Sequence, residues 1–228
     1  MNINIKTGNC DYKIPAVFPE SLDSEITIEI RFPEHIPTGQ SRKEVKESII
    51  NLIKSELQQF EWLCFGPLWI ELTWFLQADD RQESDATGDL DNITKPVLDA
   101  LSGLDGIMVD DTQIKSIYTR WLAKNSALPE QFLSINIRML NDETISKDKV
   151  HFIQYHGPMC FVIDLNPAVP EELRGIKLFA DAKRHQRQTA SQMRKTGMDV
   201  GLVLIASQKD FHRTRLRNIP ADRIYKLA

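Results

Sequence analysis

Long apolar runs and paired cysteines are both missing from this 228-residue sequence. No stretch reaches the roughly 18 apolar residues of a membrane-spanning helix, and the first six residues lack the apolar core of a signal peptide. The cysteines at positions 10, 64 and 160 are odd in number and widely spaced, which argues against a disulfide framework or a zinc site. We therefore expect a cytoplasmic globular protein with free thiols and no membrane partner.

Positive charge is scarce in the first two thirds of the chain. Residues 1–150 carry a net charge of −10, whereas residues 151–228 hold 13 Lys and Arg against 7 Asp and Glu, a net of +6. The segment 141–149 between them is polar and rich in Asp, Lys and Ser, as domain linkers are. We therefore expect one domain over residues 1–145 and a basic C-terminal extension over residues 146–228.

Carboxylates are concentrated between residues 79 and 111, where ten acids accompany only two cations. Their mutual repulsion has to be offset by raised pKa values or by bound cations. The stretch contains no His and no Cys, and oxygen-only ligands favour Mg²⁺, with Mn²⁺ as the alternative, over zinc. The acids are Asp79, Asp80, Glu83, Asp85, Asp89, Asp91, Asp99, Asp105, Asp110 and Asp111.

Alternating apolar residues predict the strands of a small sheet. Apolar residues at helical intervals predict one helix over residues 42–60, with capping-box spacing at 41–44, and a second that begins near Asn92 or Thr94. In the second helix Pro96 would lie in or just past the first turn, and Lys95, Asp99 and Ser102 would share the polar side. The fold class is therefore α/β (α+β), a small mixed sheet flanked by two helices. The predicted strands are 25–32, 68–75, 113–121 and 133–139.

Six features stand at fixed offsets around this second helix: Asp89, Asp91, Asn92, Lys95, Asp99-Ala100-Leu101 and Asp110-Asp111. This pattern resembles that of the RusA-like Holliday junction resolvases, and the likeness extends in element order over about residues 25–140. The resemblance implies a magnesium-dependent endonuclease, usually a homodimer, that makes paired nicks in four-way, branched DNA. It also implies that Asp89, Asp91 and Asp111 are the metal-binding catalytic acids and that Lys95 lies close to the scissile phosphate.

Departures from the family pattern leave some assignments open. Residues 104–109 lack the aromatic residue expected beside the glycine, so either Asp110 or Asp111 is the metal ligand. Read without the resemblance, Asp89 to Asn92 is a helix cap in a solvated loop, and Lys95 is an i,i+4 partner of Asp91 or Asp99. Two other functions compete with the nuclease: a relative that binds branched DNA without cutting it, and a transferase whose Asp-x-Asp holds a sugar nucleotide through a cation.

The C-terminal extension predicts a further small α/β unit without a motif that we can assign. Strands are expected at 150–152, 159–163 and 200–205, around a helix that Pro170 opens and Gly197 ends. One side of this helix carries an apolar stripe of Phe179, Ala182, Ala190 and Met193. Another side carries Lys177, Arg184, Arg187 and Arg194, which either contact DNA phosphates or lie in water or against the acidic domain. Arg213, Arg215 and Arg217 alternate as on one face of a strand and form a second candidate set for contacts with phosphates.

Overall fold

The computed structural model describes residues 2–8, 10–13, 23–32, 43–78, 89–124, 130–140, 143–204 and 209–227. The chain forms two compact units, Met1–Thr144 and Ile145–Ala228. Over these described ranges, no helix is long and apolar enough to cross a membrane. The predicted capping box at residue 41 and the first four acids of the acidic stretch lie outside the described residues.

The first unit is built on a mixed five-stranded sheet with the order β1-β2-β6-β4-β5. Strands β4 and β5 are parallel, and every other neighbouring pair is antiparallel. The four predicted strands are confirmed within two residues at each end, whereas β1 was not predicted because only Ile3 and Ile5 mark its alternation. The strands are β1 Asn2–Thr7, β2 Asp23–Phe32, β3 Trp62–Cys64 (outside this sheet), β4 Leu68–Leu76, β5 Ile114–Ala123 and β6 Gln131–Leu140.

Two helices pack against the apolar face of this sheet and against each other. Helix α1 spans Lys43–Leu57 and ends three residues before the predicted limit, and α2 spans Leu90–Leu101. Ile53 and Leu57 of α1 are fully buried, whereas Leu52 is 41% exposed. The core is formed by Ile26, Ile28, Ile30, Leu72, Trp74, Leu133, Ile135 and Ile137 of the sheet, with Ile93, Val97, Ala100 and Leu101 of α2.

Helix α2 begins earlier than its sequence suggests. Asp89 is the N-cap residue, with no side-chain capping bond, and Pro96 lies inside the helix rather than at its start. An interior proline removes a backbone hydrogen bond and costs about 3 kcal/mol in an exposed helix. Here Pro96 is buried in the core, and this burial offsets part of that cost. Ser102 is also buried and donates a hydrogen bond to the Leu98 carbonyl, so it does not share the exposed polar side.

The second unit is a four-stranded sheet in the order β10-β9-β8-β11, with one long helix. Helix α3 spans Pro170–Lys195, as predicted, and Gly197 follows it with a φ of 78°. The predicted strand at 200–205 is wrong, because Gly201–Leu204 form a short helix, α4, and so brief an apolar run has no period that separates helix from strand. The strands are β7 Thr144–Ser146 at the unit boundary, β8 His151–His156, β9 Met159–Ile163, β10 Phe211–His212 and β11 Ile224–Lys226.

The buried side of α3 differs from the predicted apolar stripe. Ala190 of the predicted stripe is buried, but Phe179 is 48% exposed and Ala182 is exposed. Ile176 and Ala180, which were not in the stripe, are fully buried against β8 and β9. The predicted stripe is therefore only partly right, because a sparse set of apolar residues on a long charged helix fits more than one helical face. Arg213, Arg215 and Arg217 do not form a strand either, since residues 213–216 form a 3₁₀ helix.

Candidate functional site

Helix α2 places Asp91, Lys95 and Asp99 in one row, because residues four apart lie above one another on a helix. Asp89 precedes this row at the N-cap, and Asp91 lies in the first turn. Both side chains are exposed at the end of the helix where the backbone N–H groups concentrate positive potential. The two aspartates of the Asp-x-Asp motif are therefore accessible to a cation or a substrate from solvent.

Lys95 joins this row to the Asp110-Asp111 turn. Its Nζ lies 2.9 Å from Oδ1 of Asp99 and 2.7 Å from Oδ2 of Asp111, sixteen residues further along the chain. Partial burial opposes the charged form of Lys95, but hydrogen bonds to Asp111 and Asp99 outweigh it and raise the pKa above its ordinary value. The i,i+4 pair with Asp99 was one of the predicted alternatives, and the contact with Asp111 brings two parts of the motif together.

The two adjacent aspartates have different surroundings. Asp110 is 6% exposed, and its Oδ1 accepts hydrogen bonds from the backbone N–H of Thr112 at 3.1 Å and its hydroxyl at 2.8 Å. Asp110 thereby caps the 3₁₀ helix over 111–113. The side chain of Asp111 is 29% exposed and faces the Lys95 ammonium. The Asp111 carboxylate therefore faces Lys95 of the motif, whereas the Asp110 carboxylate caps the turn.

Gln113 holds this turn in place and was not singled out from the sequence. Its Oε1 accepts from the N–H groups of Val109 at 2.7 Å and Asp110 at 3.0 Å. Its Nε2 donates to the carbonyls of Cys64 at 3.0 Å and Gly66 at 2.8 Å. The available signal was the Asp-x-x-Gln spacing of a capping box, which the structure contains.

The loop between α2 and the turn depends on two glycines. Gly103 has a φ of 94°, a conformation that side chains rarely adopt. A Cβ on Gly106 would lie 2.1 Å from the Leu101 carbonyl oxygen, so no larger residue fits. Backbone bonds from Ile107 and Met108 to that same carbonyl then return the chain toward α2. This tight return explains how Asp111 reaches Lys95.

Asp89, Asp91 and Asp111 carry ligands that suit a hard cation, although the structure does not group them into a three-residue metal site. Within the ranges that the structure describes, no group of three or more His, Cys, Asp or Glu side chains is arranged to hold a metal ion. The donor chemistry fits nevertheless, because Asp89, Asp91 and Asp111 offer only carboxylate oxygens. Asp111 already faces one cation, the Lys95 ammonium.

The predicted DNA-binding residues of α3 lie in different environments. Lys177 and Arg194 are exposed. Arg184 donates from Nε to the Tyr155 carbonyl at 2.7 Å, and Arg187 donates to the Tyr155 hydroxyl and, at 2.9 Å, to Oδ2 of Asp210. Arg184 and Arg187 therefore have an internal role, and the binding of DNA by this set stays a prediction.

Comparison with known proteins gives one clear result. A family model described as "Endodeoxyribonuclease RusA" matches residues 34–135, which include α1, β4, α2 and the Lys95–Asp111 contact. No curated protein matches the chain. The match ends before the second unit, so it assigns nothing to residues 145–228. Residues 34–135 are therefore similar to the RusA endodeoxyribonucleases, which are hydrolases that act on DNA.

Proposed function

We propose that this protein is a Mg²⁺-dependent endonuclease that resolves four-way DNA junctions by paired nicks. The observation that carries the proposal is the position of Lys95 between Asp99 and Asp111, one helical turn from Asp91. The match of residues 34–135 to the RusA family model supports an endodeoxyribonuclease that acts on branched DNA. The metal dependence, the paired cuts and the residue roles are our proposal.

The carboxylates of Asp89, Asp91 and Asp111 would hold Mg²⁺, or Mn²⁺ in its place. When bound, such an ion activates water and polarises a phosphoryl oxygen. Lys95, anchored on Asp99, offers its ammonium as a fixed positive charge to the scissile phosphate, where negative charge grows during hydrolysis. Asp110 supports the site through its cap on the turn, and for this reason we assign the ligand role to Asp111 rather than Asp110.

A homodimer follows from the two-fold symmetry of the substrate. A four-way junction offers two equivalent strands, and two copies of one nuclease related by a two-fold axis would present one site to each strand. Simultaneous cuts in a dimer would leave two ligatable duplexes. The oligomeric state is checked by light scattering of the protein alone and bound to a junction, with one dimer per junction as the expected result.

A cleavage assay on a synthetic four-way junction tests the proposal. The wild-type protein is incubated with labelled junction in Mg²⁺ or EDTA, beside the Asp91→Asn variant. Asp105→Asn is a matched control, because Asp105 is an exposed acid of the same segment whose hydrogen bond goes to Gln58. We expect symmetric nicks that require Mg²⁺ and survive Asp105→Asn but not Asp91→Asn. Junction binding without nicks in Mg²⁺ or Mn²⁺, or full cleavage by Asp91→Asn, would contradict the proposal.

A further inference from the structure

A strongly basic segment of the second unit plays no part in the proposed nuclease site. Residues 209–217 contain four cations, Lys209, Arg213, Arg215 and Arg217, and a single acid, Asp210. Lys209, Arg215 and Arg217 are exposed, and Arg213 is partly exposed. We call these four residues the basic ridge. This is a high density of positive charge for nine residues in a chain whose total charge is −4.

The one acid of the segment is turned inward. The side chain of Asp210 is 1% exposed, and its carboxylate lies 2.7 Å from the Lys183 ammonium and 2.9 Å from the Arg187 guanidinium. The Tyr155 hydroxyl donates a further hydrogen bond to it at 2.5 Å. Because Asp210 is buried with two cations of α3, it does not neutralise the ridge at the surface.

The backbone of the ridge is held in place from both ends. Phe211 and His212 form β10 and pair with β9, and the Arg213 N–H donates to the Pro158 carbonyl at 2.7 Å. The side chains of Phe211 and Leu216 are buried, which fixes the 3₁₀ helix between them. A preformed backbone reduces the ordering cost when a charged partner binds.

We propose that the basic ridge binds the phosphate backbone of the DNA substrate. This inference rests on the proposed function for its choice of DNA as the polyanion. Residues 1–150 carry a net charge of −10, which disfavours the approach of DNA, so cations in residues 151–228 would add affinity to the contact proposed for Lys95. Arg184 and Arg187 of α3 are weaker candidates, because their side chains are only 30% and 21% exposed. Phosphate contacts of this kind position the duplex without reading its sequence.

Salt-dependent binding of the full-length protein to a four-way junction tests the ridge. Affinity is measured by fluorescence anisotropy in EDTA, at several salt concentrations, for wild type and for Arg215→Gln/Arg217→Gln. The control is Arg174→Gln/Lys195→Gln, which removes two exposed charges from α3. Each phosphate contact contributes about 0.9 to the slope of log affinity against log salt. The ridge variant should lower that slope by about 2 and weaken binding roughly 30-fold at 0.15 M salt. In the control variant, the change in slope and the loss of affinity should each be at most about a quarter of those in the ridge variant.

Three further variants make the result interpretable if the double Gln variant unfolds. Arg215→Lys/Arg217→Lys preserves the charge and should keep the wild-type slope, and the single Gln variants should each lower it by about 1 even if the double variant unfolds. A wild-type slope in the ridge variants, or equal losses in ridge and control variants, overturns the inference. If those results were accompanied by Mg²⁺-dependent nicking, the proposed role of the ridge would be wrong and the proposed nuclease function would be supported. If the ridge slope fell in a protein that never nicks junctions, the proposed function would fail alone.

Discussion

Replacing Gln113 with alanine is the sharpest test of how the first unit positions Asp111. The Gln113 side chain is 5% exposed and satisfies four backbone groups, two N–H donors and two carbonyl acceptors. A buried polar group that loses its partner costs about 1–3 kcal/mol. Water that enters the vacated space recovers part of this, so we expect a loss of about 4 kcal/mol from the free energy of unfolding. This is a large share of the roughly 5–15 kcal/mol that stabilises an ordinary domain.

Tryptophan fluorescence during urea unfolding isolates the first unit for this measurement. All four tryptophans, Trp62, Trp69, Trp74 and Trp121, lie in residues 1–144, so their emission reports this unit alone. Gln59→Ala is the matched control, because Gln59 is exposed and its side chain donates to Glu56, three residues earlier in the chain. A loss under about 1 kcal/mol in Gln113→Ala, or an equal loss in Gln59→Ala, would refute the view that this side chain holds the turn.

Three further predictions address other contacts. Asp111→Asn should abolish junction nicking and lower the free energy of unfolding by under about 1 kcal/mol. Asp110→Ala should lower it by about 1 kcal/mol or more, because the cap of the 3₁₀ helix is lost. Urea unfolding measures both losses, and a larger loss in Asp111→Asn than in Asp110→Ala would contradict the assigned roles. Burial and the Asp210 hydrogen bond raise the pKa of Tyr155 to about 12 from an ordinary 10, so its contribution to stability is complete below pH 10 and is lost as the pH rises to 12; absorbance at 295 nm should show one late-titrating tyrosine that Tyr155→Phe removes. Burial raises the thiol pKa values of Cys10 and Cys160 to about 11, so both should react with a disulfide reagent at pH 8 far more slowly in the native protein than in urea, and fast native reaction would contradict their burial.

Local patterns in the sequence were sufficient for most of the secondary structure. The four predicted strands of the first unit and the extent of α3 depend on alternation, helical period and end signals that lie within a few residues of each other. The family pattern around Asp89, Asp91 and Lys95 was also readable, because its members stand at fixed short offsets. The prediction failed where the sequence pattern was too short. Only two residues mark the alternation of β1, and the apolar run at 200–205 has no period that separates helix from strand.

Tertiary structure decided which of these residues act together. The contact between Lys95 and Asp111 spans sixteen residues and depends on a return loop at Gly103 and Gly106, which no periodicity encodes. The separation of Asp110 from Asp111 follows from burial of one carboxylate and exposure of its neighbour, which only packing around Gln113 determines.

The same holds for the charges of the second unit. The sequence alone determined that residues 151–228 are basic, with a net charge of +6. Which cations face solvent was decided when Asp210 was buried between Lys183 and Arg187, because a buried carboxylate has to be paired and recruits nearby cations to do so. Composition therefore sets the amount of charge, and long-range packing sets where that charge can meet a substrate.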